Sequence, residues 1–281
     1  MAQDIVPELL QKIQDDFQKA VSADENIRKF LKKIRDGTAT MDETSLFARN
    51  LGDILAEILK KDITQDVLPN GRMYYNIAER TIKPVLMKNY ELTNEAAKVV
   101  QKAIDQENGI GLNAMSGTFP DERVETLVSA ISEEGIEWEE VERRMDEPVR
   151  NISQSFLDDF IAMNAKFRYR EGMDVVIVRK LQGGACAWCR NLAGAYGYED
   201  VPADVYRRHD NCRCTVTYKS GKYLENVWTK KNWTADDKEL EKRRNLRLGL
   251  TRRTREQARQ KEKELKERKS VSYTHLTLPT T

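Results

Sequence analysis

All four cysteines of this 281-residue chain fall within residues 186–214: Cys186, Cys189, Cys212 and Cys214. One of only two histidines, His209, lies among them. The spacing is C-x2-C, then 22 residues, then C-x-C, with His209 three residues before Cys212. In a C-x2-C segment a tight turn brings two thiolates onto one ion, so the pattern points to a structural zinc site. Zinc takes four ligands in a tetrahedron, and five candidates are present: Cys186, Cys189, His209, Cys212 and Cys214. On a regular strand Cys212 and Cys214 would face one way about 6.6 Å apart. Thiolates sharing one zinc stand no more than about 3.8 Å apart. Either the chain bends at Asn211–Cys214, or His209 replaces one cysteine. The favoured set is Cys186, Cys189, His209 and one or both of Cys212 and Cys214.

The N-terminus, MAQDIVPELL, lacks a basic start and an apolar signal core. A reducing cytoplasm is therefore the expected site of synthesis, where such a cluster reads as metal-binding rather than as disulfides. The chain carries no H-E-x-x-H, no deaminase-type H-x-E, no G-x-S-x-G and no phosphate-cradling glycine loop. A catalytic zinc keeps an open water position, and here thiolates are too many, so no enzyme is expected.

The rest of the chain fits an α+β fold: a mostly helical N-terminal part, then a small β-rich zinc-binding module and a charged C-terminal helix. Apolar residues make up 40% and charged residues 33%, enough for a real core, and no stretch is long and apolar enough for a membrane span. Ser22 with Glu25, and Thr40 with Glu43, have capping-box spacing. Leu46, Leu51, Ile54, Leu55, Ile58 and Leu59 form one helical stripe. Thr93 or Asn94 is expected to cap a helix ending near Gly109, and Pro120 to start one ending near Gly135. The longest helix is expected to start near Pro148, to bury Val149, Ile152, Phe156, Phe160, Met163 and Phe167, and to close at Gly172. Strands are expected at Val175–Val178, Thr215–Tyr218 and Tyr223–Trp228. Four segments follow: a helical domain over 1–147, the zinc-binding module over 148–230, a basic helical tail over 231–270, and a non-native, adapter-like tail over 271–281.

Charge is split along the chain. Residues 219–269 hold 18 Lys/Arg and 9 Asp/Glu, a net +9, whereas residues 1–218 have a net −8. An acidic body with a basic tail points to contact of the tail with nucleic acid or an acidic protein surface.

Three segments, Cys186-Ala-Trp-Cys189, Leu192-Ala-Gly194 and His209-Asp-Asn-Cys212-Arg213-Cys214, resemble the signature of phage minor head proteins of the Mu F-like, or head morphogenesis, family. That family's usual pattern ends in H-P-x-C-R-C, and Asp210 stands here where proline is usual. The resemblance covers about residues 148–220. It implies a low-copy virion or procapsid component of a tailed phage or prophage, near the portal, acting in head morphogenesis, DNA packaging or DNA ejection. The implied partners are the portal protein, other capsid or procapsid proteins and, through the basic tail, packaged double-stranded DNA; no membrane is involved. The alternative is a zinc-containing nucleic-acid-binding protein, with Arg190, Arg207, Arg208 and Arg213 crowding the cluster.

Overall fold

The computed structural model describes residues 4–209 and 211–221. The expected strand at 223–228, the basic helix and the terminal tail lie outside them. The described part is α+β: helices α1 (Val6–Ala23), α2 (Glu25–Arg35), α3 (Met41–Asp62), α4 (Tyr75–Glu107), α5 (Asp121–Ile131) and α6 (Trp138–Arg170) come first. Strand β1 (Asp174–Lys180), the short helix α7 (Ala187–Leu192), β2 (Gly194–Gly197) and β3 (Thr215–Gly221) follow. The sheet is antiparallel with order β2-β1-β3. Among the described residues no helix is long and apolar enough to cross a membrane.

Local chemistry explains most of the helix ends. Thr40 caps α3 in a reciprocal box: its hydroxyl accepts from the Glu43 N–H at 3.2 Å, and Glu43 accepts from the Thr40 N–H at 3.0 Å. The cap of α2 is Asp24, which accepts from Ile27 N–H at 2.8 Å; Ser22 lies inside α1 and caps nothing. Asp is as strong a cap as Ser, and only one residue can occupy the break between the two helices. Gly109 and Gly172, with φ of 64° and 77°, follow the ends of α4 and α6, where the left-handed turn favours glycine.

Two longer helices depart from expectation. Thr93 and Asn94 sit buried in the middle of α4 rather than at its start. Asn94 accepts from Gly117 N–H at 2.8 Å, so its carbonyl serves the backbone of the loop between α4 and α5. On α6, Asn164 does the same at Met115, accepting from its N–H and donating to its carbonyl, both at 2.8 Å. The longest stripe starts at Trp138, not Pro148; Pro148 lies within α6, and the division at 147/148 falls inside that helix. Val141, Met145 and Val149 continue the buried stripe toward the N-terminus, and burial of that face outweighs the hydrogen bond the proline lacks. Beyond Phe160 the buried face is Ile161, Asn164, Ala165 and Arg168, leaving Met163 and Phe167 half-buried.

Helix α3 runs against α6 at close range, because Gly52 faces Ser153. The Ser153 hydroxyl also accepts from Asn89 of α4 at 2.9 Å, so three helices meet there. The inner face of the sheet joins the same core: Val175, Ile177, Tyr196, Val216 and Tyr218 belong with the helical residues in one apolar cluster. Arg168 of α6 pairs with Asp105 of α4 out of water and lies over the Tyr218 ring, tying helices to sheet.

The geometry at Gly52 fixes one outcome. A Cβ there would come within 2.7 Å of Ser153 Cβ and 3.3 Å of the Arg150 carbonyl. Gly52→Ala should therefore cost about 1–3 kcal/mol through forced separation of α3 and α6, read as a lower urea midpoint at unchanged slope.

Candidate metal centre

The site is assembled from three pieces of backbone. Cys186 is the N-cap of α7, and its sulfur accepts from Cys189 N–H at 3.4 Å. One turn of helix thus sets the two sulfurs of the C-x2-C pair side by side. The second piece is the turn at Asn211, whose φ is 59°, with Cys212 N–H donating to the His209 carbonyl at 3.0 Å. β3 begins only at Thr215, so Cys212 and Cys214 precede the strand and are free of its 6.6 Å pleat spacing. The third piece is the end of β1.

These elements bring all five expected residues together: the chain turns at Asn211, and His209 lies beside the C-x2-C pair. His209 Nε2 lies 3.2 Å from Cys186 Sγ and 3.0 Å from Cys189 Sγ. Cys189 Sγ lies 3.7 Å from Cys212 Sγ. The donors form two trios that share Cys189: Cys186, Cys189 and His209 on one side, and Cys189, Cys212 and Cys214 on the other. Within each trio all donor atoms lie within 4.8 Å of one another. The cluster could hold a metal ion. Its inner cysteines, 189, 212 and 214, are buried, whereas Cys186 is exposed at the rim.

Burial, opposed by the Arg179 guanidinium and aided by the neighbouring Cys214 and Cys212 sulfurs, pushes the Cys189 thiol up to about 12. A metal held there would have to displace the proton from that sulfur. Cys186 moves the other way: the Cys189 N–H that donates to its sulfur lowers it.

Two groups outside the expected ligands hold the site. Arg208 turns inward, with its Nε and Nη2 on the two oxygens of Asp158 of α6, the latter at 2.8 Å. Its Nη1 donates to Gln154 Oε1 at 2.8 Å and to the Cys214 carbonyl at 2.9 Å. The side chains of this pair are 6% and 2% exposed, so this arginine is an internal strut and not part of a basic surface. Arg190, Arg207 and Arg213 do remain exposed. The other group is Arg179 at the end of β1, whose Nη2 lies 3.7 Å from Cys189 Sγ and 3.5 Å from Cys212 Sγ. A sequence signal existed for it. Extending the alternation of Val175 and Ile177 by one step places Arg179 on the inward face. The strand β2 was likewise missed, since Gly194-Ala-Tyr-Gly197 lacks the β-branched residues that mark a strand.

Comparison with known protein families, with curated proteins and with solved structures finds no match to this chain.

Two outcomes follow from the charges on α6. Asp158→Ala leaves Arg208 inside without its carboxylate, which should cost about 3–5 kcal/mol. Hydrogen exchange at the backbone of Cys212–Val216 should accelerate, because the arginine that clamps the Cys214 carbonyl loses its carboxylate anchor on α6. Asp159, next along the helix, behaves differently. Burial, opposed by Arg123 and aided by the charge of Asp158, raises its carboxyl to about 6. A folded-state value above the unfolded one means that the charged form is a cost at pH 7, and that the cost fades as pH falls through 6 toward 4. Asp159→Asn should accordingly stabilise the fold at pH 7, by about 1–2 kcal/mol after allowance for its partial exposure, and give no advantage at pH 4. Urea titrations of both proteins at the two pH values read this directly.

Proposed function

We propose that this chain is a non-enzymatic minor head component of a tailed phage or prophage, acting near the portal, and that its cysteine cluster holds one structural zinc ion. The observation that carries the reading is the meeting of the Cys186–Cys189 and His209–Cys214 segments around Cys189. Those segments are the ones that resemble the Mu F-like family, and their convergence gives the resemblance a physical purpose. Soft sulfur and imidazole donors suit zinc rather than magnesium or calcium. A set this rich in thiolate, with three of its cysteines buried, suits a structural ion that supplies folding free energy and leaves no place for a reacting water. The residues that would hold zinc are Cys186, Cys189, His209 and Cys212 or Cys214.

On this reading the zinc site closes the loop after β1 on itself, and the finished surface is presented to portal and procapsid proteins in the virion or procapsid. The basic segment after residue 219 offers positive charge to packaged double-stranded DNA or to an acidic portal wall. A second reading, a zinc-containing nucleic-acid-binding protein, is favoured by the exposed Arg190, Arg207 and Arg213 around the cluster.

The purified chain should contain close to one zinc per molecule, and Cys189→Ser should abolish it, measured by elemental analysis. When made beside its own head genes, the protein should copurify with portal oligomers or procapsids at far fewer copies than the major capsid protein. Deletion of the gene should leave heads fewer, non-infectious or faulty in DNA delivery; normal infectious yield would overturn the head-protein reading. DNA titrations of the full chain and of a truncation at Asp236 separate the second reading. If the zinc module is itself the nucleic-acid surface, binding survives the truncation; if only the tail meets DNA, it is lost.

A further inference from the structure

Three arginine side chains lie out of water in the described fold, and two of them have a carboxylate. Arg168 pairs with Asp105 and Arg208 with Asp158. Arg179 is 2% exposed and has no carboxylate partner among the described residues. Its Nη1 donates to the carbonyls of Val205 and of Arg207, the latter at 3.0 Å. Its Nε finds no hydrogen-bond partner among the described residues. Its plane lies over the Trp188 ring, 5.4 Å from the centroid. The remaining contacts of the guanidinium are the sulfurs of Cys189 and Cys212, at 3.7 and 3.5 Å.

A guanidinium does not release its proton in a protein, so its charge must be answered where it lies. Neutral thiols are weak acceptors and answer it poorly; thiolates are anions and answer it well. We infer that Arg179 is the buried counter-cation of the cysteine cluster, a positioning residue that sets metal affinity by cancelling the excess negative charge of the thiolate ligands. The inference rests on the metal-site reading above. The charge count agrees with it. A dication held by three thiolates and one imidazole carries −1, which Arg179 brings to zero. Four thiolates would carry −2 and leave a charge uncompensated inside the protein, which is costly. The neutral count favours His209 as a ligand. Arg208 does not enter the count, because Asp158 already answers it.

Geometry holds the guanidinium in place. Arg179 follows Val175 and Ile177 on the inward face of the central strand, and its backbone pairs with Gly194 on one side and Val216 on the other. Gly194 follows α7, which carries Cys189, and Val216 follows Cys214 by two residues. The sheet therefore fixes the arginine relative to both halves of the ligand set.

The test compares the full-length wild type with Arg179→Lys and Arg179→Gln. Zinc affinity is measured by competition with a chromophoric chelator, and the cobalt-loaded proteins are read by their thiolate-to-metal charge-transfer absorbance. Groups that orient or balance metal ligands are worth roughly 10–100-fold in affinity. Gln keeps polarity without charge and should lose that much, with a weaker charge-transfer band. Lys loses the fork and the stacking on Trp188 but keeps the charge, and should stay within about tenfold of wild type. Equal affinity of Gln and wild type, or an equal fall in Lys and Gln, overturns the counter-cation role while leaving the metal site standing. Absence of metal binding by the wild type overturns both. Should the Gln protein fail to fold by circular dichroism, a loss beyond about a hundredfold in the Lys protein overturns the inference by itself.

Discussion

The two-pronged pair of Asp158 and Arg208 is the constraint on which the position of the cysteine cluster depends. Asp158 projects from the middle of α6, the helix against which α3, α4, α5 and the sheet all pack. Arg208 belongs to the segment that carries His209, Cys212 and Cys214. Both side chains are out of water, where losing one partner costs far more than the pair itself contributes. The pair therefore acts less as a source of net stability than as a demand for one arrangement. Any displacement of the 208–214 segment from α6 strands a charge and also breaks the Arg208 bond to Gln154. Glu147, about three turns before Asp158 on α6, accepts from Asn211 N–H at 3.1 Å and holds the same segment from a second point.

The parts of this architecture that were legible in the sequence are those where a local rule has no competitor. Thr40 and Glu43 form their box because nothing better stands nearby, and Gly109 and Gly172 mark helix ends because few other residues accept a left-handed turn. The cysteine spacing survives folding intact, since a C-x2-C turn is set by its own backbone. The misreadings arise where tertiary structure reuses the same residue types for another task. Thr93 and Asn94 look like caps, but the polar side chain of Asn94 inside α4 serves a loop distant in sequence. Pro148 looks like a helix start, but the apolar stripe from Val141 onward carries α6 straight through it. The same limit explains Arg179. Its inward position is readable from strand alternation, but a buried arginine makes sense only once its thiol neighbours, distant in sequence on one side, are brought beside it.

Chain-entropy considerations say what a metal ion held by this cluster would do for the fold. The segment from Leu181 to Cys214 leaves β1 and returns to pair with β1 as β3, and its described residues form α7, the four-residue β2 and a 3-10 turn between. Few of its side chains reach the core: Cys189, Tyr196 and Val205 are the buried apolar ones before Cys212. A loop of this length with so little to bury cannot offset its own ordering by hydrophobic contact. Cross-linking Cys189 to His209 or Cys212 closes a loop of some 20 residues, and by analogy with a disulfide removes about 3 kcal/mol of unfolded-state entropy. The Arg208–Asp158 pair cannot supply that, because it fastens one end of the loop to α6 without joining the two halves to each other. The two devices are therefore complementary. The ion pair places the segment on the helical body, and the sulfur cluster closes it on itself. Arg179 stands between them on β1, the strand that both β2 and β3 flank.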